Sequence, residues 1–94
     1  MIKTKNLVTH IVTHSNAKLE TVIMMEECGE VIQELAHAIR TDRGLNHEHL
    51  AEEMAQLYVS WEVIRKYYSL TDDEIQDQID RKYDKNFLTH RGET

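Results

Sequence analysis

The sequence predicts an all-α fold, in which three main helices per chain form an oligomeric helical bundle. The 94 residues include no proline and only three glycines, so few positions interrupt a helix. Apolar residues recur every three or four positions over long stretches, which is the periodicity of amphipathic helices rather than strands. A chain of this length makes one small domain, residues 1–94, near the size at which a single core is marginally sufficient.

The N-terminal segment and the first main helix are the first two elements. Residues 1–15 form either an extended arm or a short helix, because the doublet Leu-Val-Thr-His-Ile-Val-Thr-His over 7–14 suits both. The first main helix is predicted over about residues 16–40. It should stop at Thr41-Asp42-Arg43-Gly44, the only stretch of the sequence with strong loop character.

Two further helices complete the predicted bundle. The second covers about residues 47–68 and carries one apolar stripe from Leu50 to Tyr68. The third covers about residues 72–88, with Ile75, Ile79 and Tyr83 as its inward positions. Thr71-Asp72-Asp73-Glu74 has the pattern of a capping box, in which Thr71 is the N-cap and Glu74 lies three residues later.

Net charge, cysteine content and hydropathy limit the partners and the cellular location of the protein. The net charge of −6 argues against nucleic-acid binding, because affinity for a phosphate backbone comes from clustered Lys and Arg. The single cysteine, Cys28, cannot form an intrachain disulfide and fits a reducing compartment. No apolar run resembles a signal peptide or a membrane span, so we expect no membrane partner and a cytoplasmic location.

Acidic residues on the first two main helices suggest a cation site. Glu27 and Glu30 lie three residues apart and therefore on nearly the same helix face, next to Glu26. Glu53 would add a third carboxylate from the facing helix. Inward carboxylates on facing helices of a bundle make oxygen-rich sites for hard divalent cations.

Solvated faces are the alternative explanation of such acids. That explanation is the expected one for Glu20, Glu34 and Glu48, because charged residues are rarely buried without a partner. Glu53 differs, because about 100° per residue puts it on the apolar stripe beside Leu57. A lone carboxylate there is costly unless something positive compensates it. Spacing alone leaves both a shared cation and separate solvated acids open.

The third helix adds polar residues at the end of its apolar stripe. Ile75, Ile79, Lys82 and Asn86 are spaced four, three and four apart, and Lys85 lies beside them. An ammonium and an amide near a bound cation would suit a phosphate-bearing ligand. The alternative is a helix C-terminus enriched in cations that complement the helix dipole.

The order of these motifs resembles the MazG-like, all-α nucleoside triphosphate pyrophosphohydrolase superfamily. Its pattern is two glutamates, two residues and a glutamate, then a spacer and Glu-x-x-Asp. The resemblance covers about residues 17–91. The stretches that carry it are Met24-Met25-Glu26-Glu27-Cys28-Gly29-Glu30, Leu50-Ala51-Glu52-Glu53-Met54-Ala55-Gln56 and Lys82-Tyr83-Asp84-Lys85-Asn86.

The resemblance implies a reaction and a set of site residues. The expected reaction is Mg²⁺-dependent cleavage of a nucleoside triphosphate, or its deoxy form, between the α and β phosphates, with Mn²⁺ as a substitute metal. The family forms dimers or tetramers, so a homodimer or homotetramer is expected. By position, Glu27, Glu30 and Glu53 would hold the metal, and Glu26 would assist by orienting water. The candidate catalytic residues are therefore Glu26 and Glu27. The candidate nucleotide contacts are Lys82, Lys85 and Asn86.

Gln56 departs from the family pattern, which has aspartate at this position. The change removes one anionic ligand, although an amide carbonyl oxygen still coordinates hard cations. Glu52 lies about 100° from Glu53 around the helix and cannot replace the missing carboxylate without a backbone shift. Gln56 therefore stays a candidate metal ligand, with weaker metal binding or lost catalysis as the expected cost.

Two other functions remain open at this point. One is a non-catalytic helical module that binds a nucleotide or metal, or that serves only to oligomerise. The other is a transition-metal site at paired histidines, although His-containing pairs are common without a metal. The histidines in question are His10, His14, His47 and His49.

Overall fold

The computed structural model describes residues 1–41 and 44–83, and these residues form four helices with no strand. The all-α prediction is therefore confirmed. The helices are α1 (Thr4–His14), α2 (Ala17–Thr41), α3 (His47–Tyr67) and α4 (Asp72–Lys82).

The N-terminal segment is a helix rather than an extended arm. The chain leaves α1 at Ser15, whose backbone is extended at φ −127°, and α2 follows two residues later. The Asn16 side chain accepts the backbone N–H of Leu19 at 2.8 Å, which is the bond of a helix N-cap. This cap begins a new helix, so α1 and α2 are separate helices. The sequence alone had left open whether residues 1–15 form an arm or a short helix.

Helices α2 and α3 make the main helix–helix contact of the described chain. They run antiparallel, because Glu34 contacts His49 near one end and the Thr21 hydroxyl meets the Tyr68 hydroxyl at 3.4 Å near the other. Helix α1 packs on α3, and its Val12 carbonyl accepts a hydrogen bond from the Tyr67 hydroxyl at 3.1 Å. This pairing sets the register that brings the acids of α2 opposite those of α3.

The apolar core of the single chain is small. Val8, Val31 and Val63 are the buried apolar residues of the described chain, one from each of the first three helices. The sequence predicts that one chain cannot cover five large apolar residues, Met24, Met25, Ile32, Trp61 and Tyr68. Met24 is half-buried in the structure. The other four keep between 43% and 67% of their accessible surface.

The predicted inward face of α4 is not buried. Ile79 and Tyr83 stay exposed, Ile75 is half-buried, and no residue of the helix is fully buried. In the described single chain the prediction is met only in part, at Ile75. An apolar stripe fixes the side of a helix that prefers cover, but another element must supply that cover. The predicted extension of the helix to residue 88 falls partly on 84–94, outside the described residues.

The start of α4 agrees with the sequence. Thr71 and Glu74 form the predicted capping box: the Thr71 hydroxyl accepts the Glu74 backbone N–H, and the Glu74 carboxylate accepts the Thr71 backbone N–H. Arg65 ties this start to the end of α3 by donating to the Leu70 carbonyl and to Asp72. Among the described helices, none is both long enough and apolar enough to cross a bilayer.

Candidate metal centre

Three carboxylates from two helices meet in the α2–α3 interface. Glu27 and Glu30 come from successive turns of α2, and Glu53 comes from α3. One carboxylate oxygen from each residue lies within 4.8 Å of the other two. We call these three residues the carboxylate cluster. Its composition is the one that the i, i+3 spacing and the facing helix predict.

Two oxygens of the cluster are buried without a hydrogen-bond partner. They are Oε2 of Glu27 and Oε2 of Glu53. An unpaired carboxylate oxygen in a desolvated position is costly, and buried polar atoms in folded proteins are nearly always paired. A hard divalent cation takes carboxylate oxygens as ligands, so the donor set and the two unpaired oxygens both fit Mg²⁺ or Mn²⁺.

Partial burial and mutual repulsion raise the pKa values of two acids of the cluster, Glu27 and Glu30. Burial, followed by the charges of Glu30 and Glu26, raises the pKa of Glu27 above 4.5. The pKa of Glu30 is raised by a hydrogen bond to Glu53, by the charge of Glu53 and by desolvation, while His49 opposes the shift. The bond to Glu53 exists only when a proton is present, because two ionised carboxylates have no donor between them. The cluster therefore favours the binding of a positive species, whether a proton or a metal.

A cleft lined mainly by apolar residues opens on one side of the carboxylate cluster. We call this cavity of about 370 Å³ the apolar cleft, and it lies between α1, α2 and α3. Glu27 belongs both to the cleft and to the cluster. The other lining residues are Leu7, Ile11, Glu20, Ile23, Ala55, Gln56, Val59, Ser60 and Val63.

A second cleft, of different character, is lined by the other two acids of the cluster. This polar cleft has a volume of about 300 Å³ and includes Glu30 and Glu53 of the cluster. Its remaining lining residues are Gln33, Glu34, His37, Arg40 and His49. Residues of the cluster thus line both an apolar space and a space with cationic and amide groups.

The remaining predicted site residues in the described part of the chain lie outside the carboxylate cluster. Glu26 is exposed and close enough for its charge to act on Glu27, but it is not one of the three clustered acids. Gln56 is exposed and lines the apolar cleft together with Glu27. Lys82 is exposed at the end of α4 and is not among the residues that line either cleft. The two other candidate nucleotide contacts, Lys85 and Asn86, lie outside the described residues.

The histidine pairs do not assemble a transition-metal site in the part of the chain that is described. The rings of His10 and His14 stack with centroids 4.3 Å apart, and His14 Nδ1 lies 2.9 Å from the His10 carbonyl oxygen. Among the described residues, the one group of three or more Asp, Glu, His and Cys ligand atoms is the carboxylate cluster. His49 instead contacts two carboxylates, those of Glu34 and Glu53.

Two acids that the sequence assigns to solvated faces are not solvated. Glu20 is 8% exposed, and its Oε2 accepts a hydrogen bond from the Ser15 hydroxyl at 2.6 Å. The Glu34 side chain is 18% exposed and bonds to His49 at 2.8 Å. Both expectations were wrong because the partners come from other elements, and helical periodicity within α2 carries no information about them. Glu48 is exposed, as expected.

No family model matches the chain, and comparisons with curated proteins and with solved structures find no match either. The chemistry of the site therefore rests on its own geometry. Three clustered carboxylates with two unpaired buried oxygens can hold a hard cation, and an adjoining apolar cleft can receive a ring or an aliphatic group.

Proposed function

We propose that this protein is a Mg²⁺-dependent nucleoside triphosphate pyrophosphohydrolase of the MazG-like, all-α superfamily. It cleaves the triphosphate between the α and β phosphates and releases a nucleoside monophosphate and pyrophosphate. The observation that carries the proposal is the carboxylate cluster, with its unpaired buried oxygens on Glu27 and Glu53. The motif order in the sequence is the independent support.

Each acid has a distinct task in this proposal. Glu27, Glu30 and Glu53 supply the oxygen ligands, and Gln56 supplies at most a neutral carbonyl oxygen. When bound, Mg²⁺ neutralises phosphate charge and lowers the pKa of a coordinated water. Glu26 is exposed beside Glu27, so its carboxylate is free to orient the attacking water and accept its proton.

The two clefts support a nucleotide as the ligand. The apolar cleft shares Glu27 with the cluster, so a nucleobase in the cleft would place its phosphates near the metal ligands. Arg40 lines the polar cleft that also includes Glu30 and Glu53, and its guanidinium can pair with phosphate oxygens that enter the cleft. Lys82, Lys85 and Asn86 remain the contacts implied by the family resemblance.

A homodimer or homotetramer is part of the proposal, and the cytoplasm is its proposed location. Large apolar residues exposed on α2 and α3 support assembly, because a second copy of the chain would cover them. The single cysteine supports a reducing compartment.

Gln56 favours a second candidate function, a non-catalytic module that binds a metal or a nucleotide. The family pattern has an anionic ligand at this position, and this chain has an exposed neutral amide. Three carboxylates without the fourth would still bind a divalent cation, although more weakly. Such a protein would retain binding and lose turnover.

Pyrophosphate release from a panel of ribo- and deoxyribonucleoside triphosphates tests the proposal. With Mg²⁺ or Mn²⁺, we expect release from at least one nucleotide by the wild type and by Glu48→Gln, an exposed control on α3. Glu53→Gln should release none. Nucleotide binding by the wild type without any pyrophosphate would support the module instead, and equal release by all three proteins would contradict the assigned site.

A further inference from the structure

His49 bridges the two helices that form the carboxylate cluster. Its Nδ1 lies 2.8 Å from Oε2 of Glu34 on α2, and its Nε2 lies 3.3 Å from Oε1 of Glu53 on α3. The two carboxylates are only 18% and 14% exposed, whereas the ring is 48% exposed. The ring therefore reaches in from the surface and contacts two largely buried anions with its two nitrogens.

The backbone of His49 is itself held in place. The Asn46 side chain caps α3 by accepting the His49 backbone N–H at 3.0 Å. Because His49 and Glu53 are four residues apart on one helix, their side chains meet on one face. The bond to Glu34 then fixes the ring from the opposite helix. The cap by Asn46 and the contacts with Glu34 and Glu53 thus determine the position of the ring atom Nε2.

The two carboxylate oxygens of Glu53 have different surroundings. The Oε1 atom faces the ring, and the Oε2 atom is buried without a hydrogen-bond partner. Glu53 also contributes one oxygen to the carboxylate cluster. A contact that holds Oε1 restricts rotation of the carboxylate and leaves Oε2 for a ligand inside the interface.

We propose that His49 is a positioning residue, which orients Glu53 for divalent-cation binding and is itself oriented by Glu34. This inference rests on the proposed metal site but not on the hydrolysis of a nucleotide. His49 is not one of the three residues whose ligand atoms come together, so its action passes through Glu53. Groups outside the ligand set that contact a metal ligand and fix its orientation commonly tune metal affinity in this way.

Two substitutions of His49 test the contact with Glu34 and the contact with Glu53 independently. An Asn side chain carries its amide about where Nδ1 lies, so His49→Asn keeps a donor for Glu34 and loses the contact with Glu53. A Gln side chain reaches about as far as Nε2, so His49→Gln keeps a donor for Glu53 and loses the contact with Glu34. His47→Asn is the matched control, because His47 is exposed in the same first turn of α3.

Calorimetric titration of the full-length protein with Mn²⁺, repeated with Mg²⁺, measures the effect. We expect His49→Asn to weaken binding by about tenfold or more, which is the usual cost of removing such a partner. His49→Gln should retain most of the affinity, and His47→Asn should match the wild type. Unchanged affinity in His49→Asn, or tighter binding from loss of a competing cation, would overturn the positioning role.

Melting temperature in EDTA provides the second measurement. His49→Gln loses the contact with Glu34 that joins α2 to α3, whereas His49→Asn loses only a contact within α3. A purely structural role therefore predicts that His49→Gln has the lower melting temperature and the weaker metal affinity of the two. The positioning role predicts the opposite order of metal affinities, with His49→Asn the weaker binder even though it keeps the contact between the helices. If the affinities separate in this order while no nucleotide is hydrolysed, the positioning role holds and the proposed enzyme fails. If the wild type hydrolyses nucleotides and the two affinities are equal or reversed, the positioning role alone fails.

Discussion

At the scale of single residues, the carboxylate cluster holds negative charges close together. Glu30 and Glu53 lie close enough to share a proton, and Glu26 adds its charge to Glu27. A raised folded-state pKa means that the folded chain binds protons more tightly than the unfolded chain. Stability from these groups is therefore present below their unfolded pKa and is lost as pH rises through the folded pKa.

Glu30→Gln should consequently stabilise the metal-free protein. At neutral pH the amide removes one charge and can donate a hydrogen bond to Glu53 at any pH. We expect a higher melting temperature than the wild type in EDTA at pH 7, with the difference shrinking as pH falls toward 4.5. Glu48→Gln should show no such difference at any pH. A Glu30→Gln protein that melts below the wild type at neutral pH would contradict the repulsion.

Gln56→Asp tests whether this position belongs to the ligand set. Asp is one methylene shorter than Gln, and the change places a charged oxygen in the cleft that Glu27 also lines. We expect Mg²⁺ binding to tighten by about tenfold, equivalent to roughly 1.4 kcal/mol. Gln78→Asp adds the same charge on α4 and should leave affinity unchanged. Equal affinities for the wild type and Gln56→Asp would place Gln56 outside the ligand set.

The sequence predicts which side chains share a helix face, because that depends only on their spacing along one helix. Glu27 and Glu30 share a face through their spacing, and Glu53 follows from the second apolar stripe. The burial of Glu20 and Glu34 is not local, because Ser15 and His49 reach them from outside α2. No pattern within one helix specifies those partners, so the sequence assigned both acids to solvent.

At the scale of elements, the sequence predicts one helix end correctly and does not indicate another. The capping box at Thr71 was predicted from four residues and is present. The end of α3 has a bonding pattern that the sequence did not indicate. The Leu70 backbone N–H donates to the Arg65 carbonyl at 2.9 Å, and the Ser69 N–H donates to Lys66 at 3.3 Å. This is the Schellman arrangement, which normally places glycine where Ser69 lies.

Ser69→Gly should therefore stabilise the fold. Ser69 has φ 54°, a left-handed conformation that costs an L-residue about 1–2 kcal/mol. Glycine removes that cost but loses about 0.5–1 kcal/mol of backbone entropy, so a net gain of roughly 0.5 kcal/mol is expected. Urea unfolding measures it. Ser69→Ala keeps the strained φ and should give no gain; equal gains from both variants would point to the hydroxyl instead.

At the scale of the whole molecule, the described chain leaves much apolar surface uncovered. Met25, Ile32 and Ile39 on α2 keep 67%, 65% and 82% of their accessible surface, and Tyr58 on α3 keeps 54%. Sequence periodicity predicts these apolar stripes but cannot tell whether a neighbouring helix comes from the same chain. For α2 and α3, the described helices of one chain do not supply that cover.

Light scattering at micromolar concentration should accordingly give a mass of two or four chains of 11.1 kDa. Ile32→Lys places a charge on the uncovered face and should shift the mass toward one chain. Because Ile32 is 65% exposed in the single chain, this variant should keep its helical circular dichroism. A monomeric wild type would contradict the predicted dimer or tetramer.

Metal binding by the carboxylate cluster is the central claim, and Mn²⁺ titration followed by electron paramagnetic resonance tests it most directly. The signal of free Mn²⁺ reports the fraction that remains unbound. The wild type and Glu48→Gln should remove Mn²⁺ from solution with equal affinity, and Mg²⁺ should compete for the site. Glu27→Gln, Glu30→Gln and Glu53→Gln should each bind at least about tenfold more weakly, a loss of roughly 1.4 kcal/mol or more. Equal binding by all five proteins, or no binding by the wild type, would contradict the account.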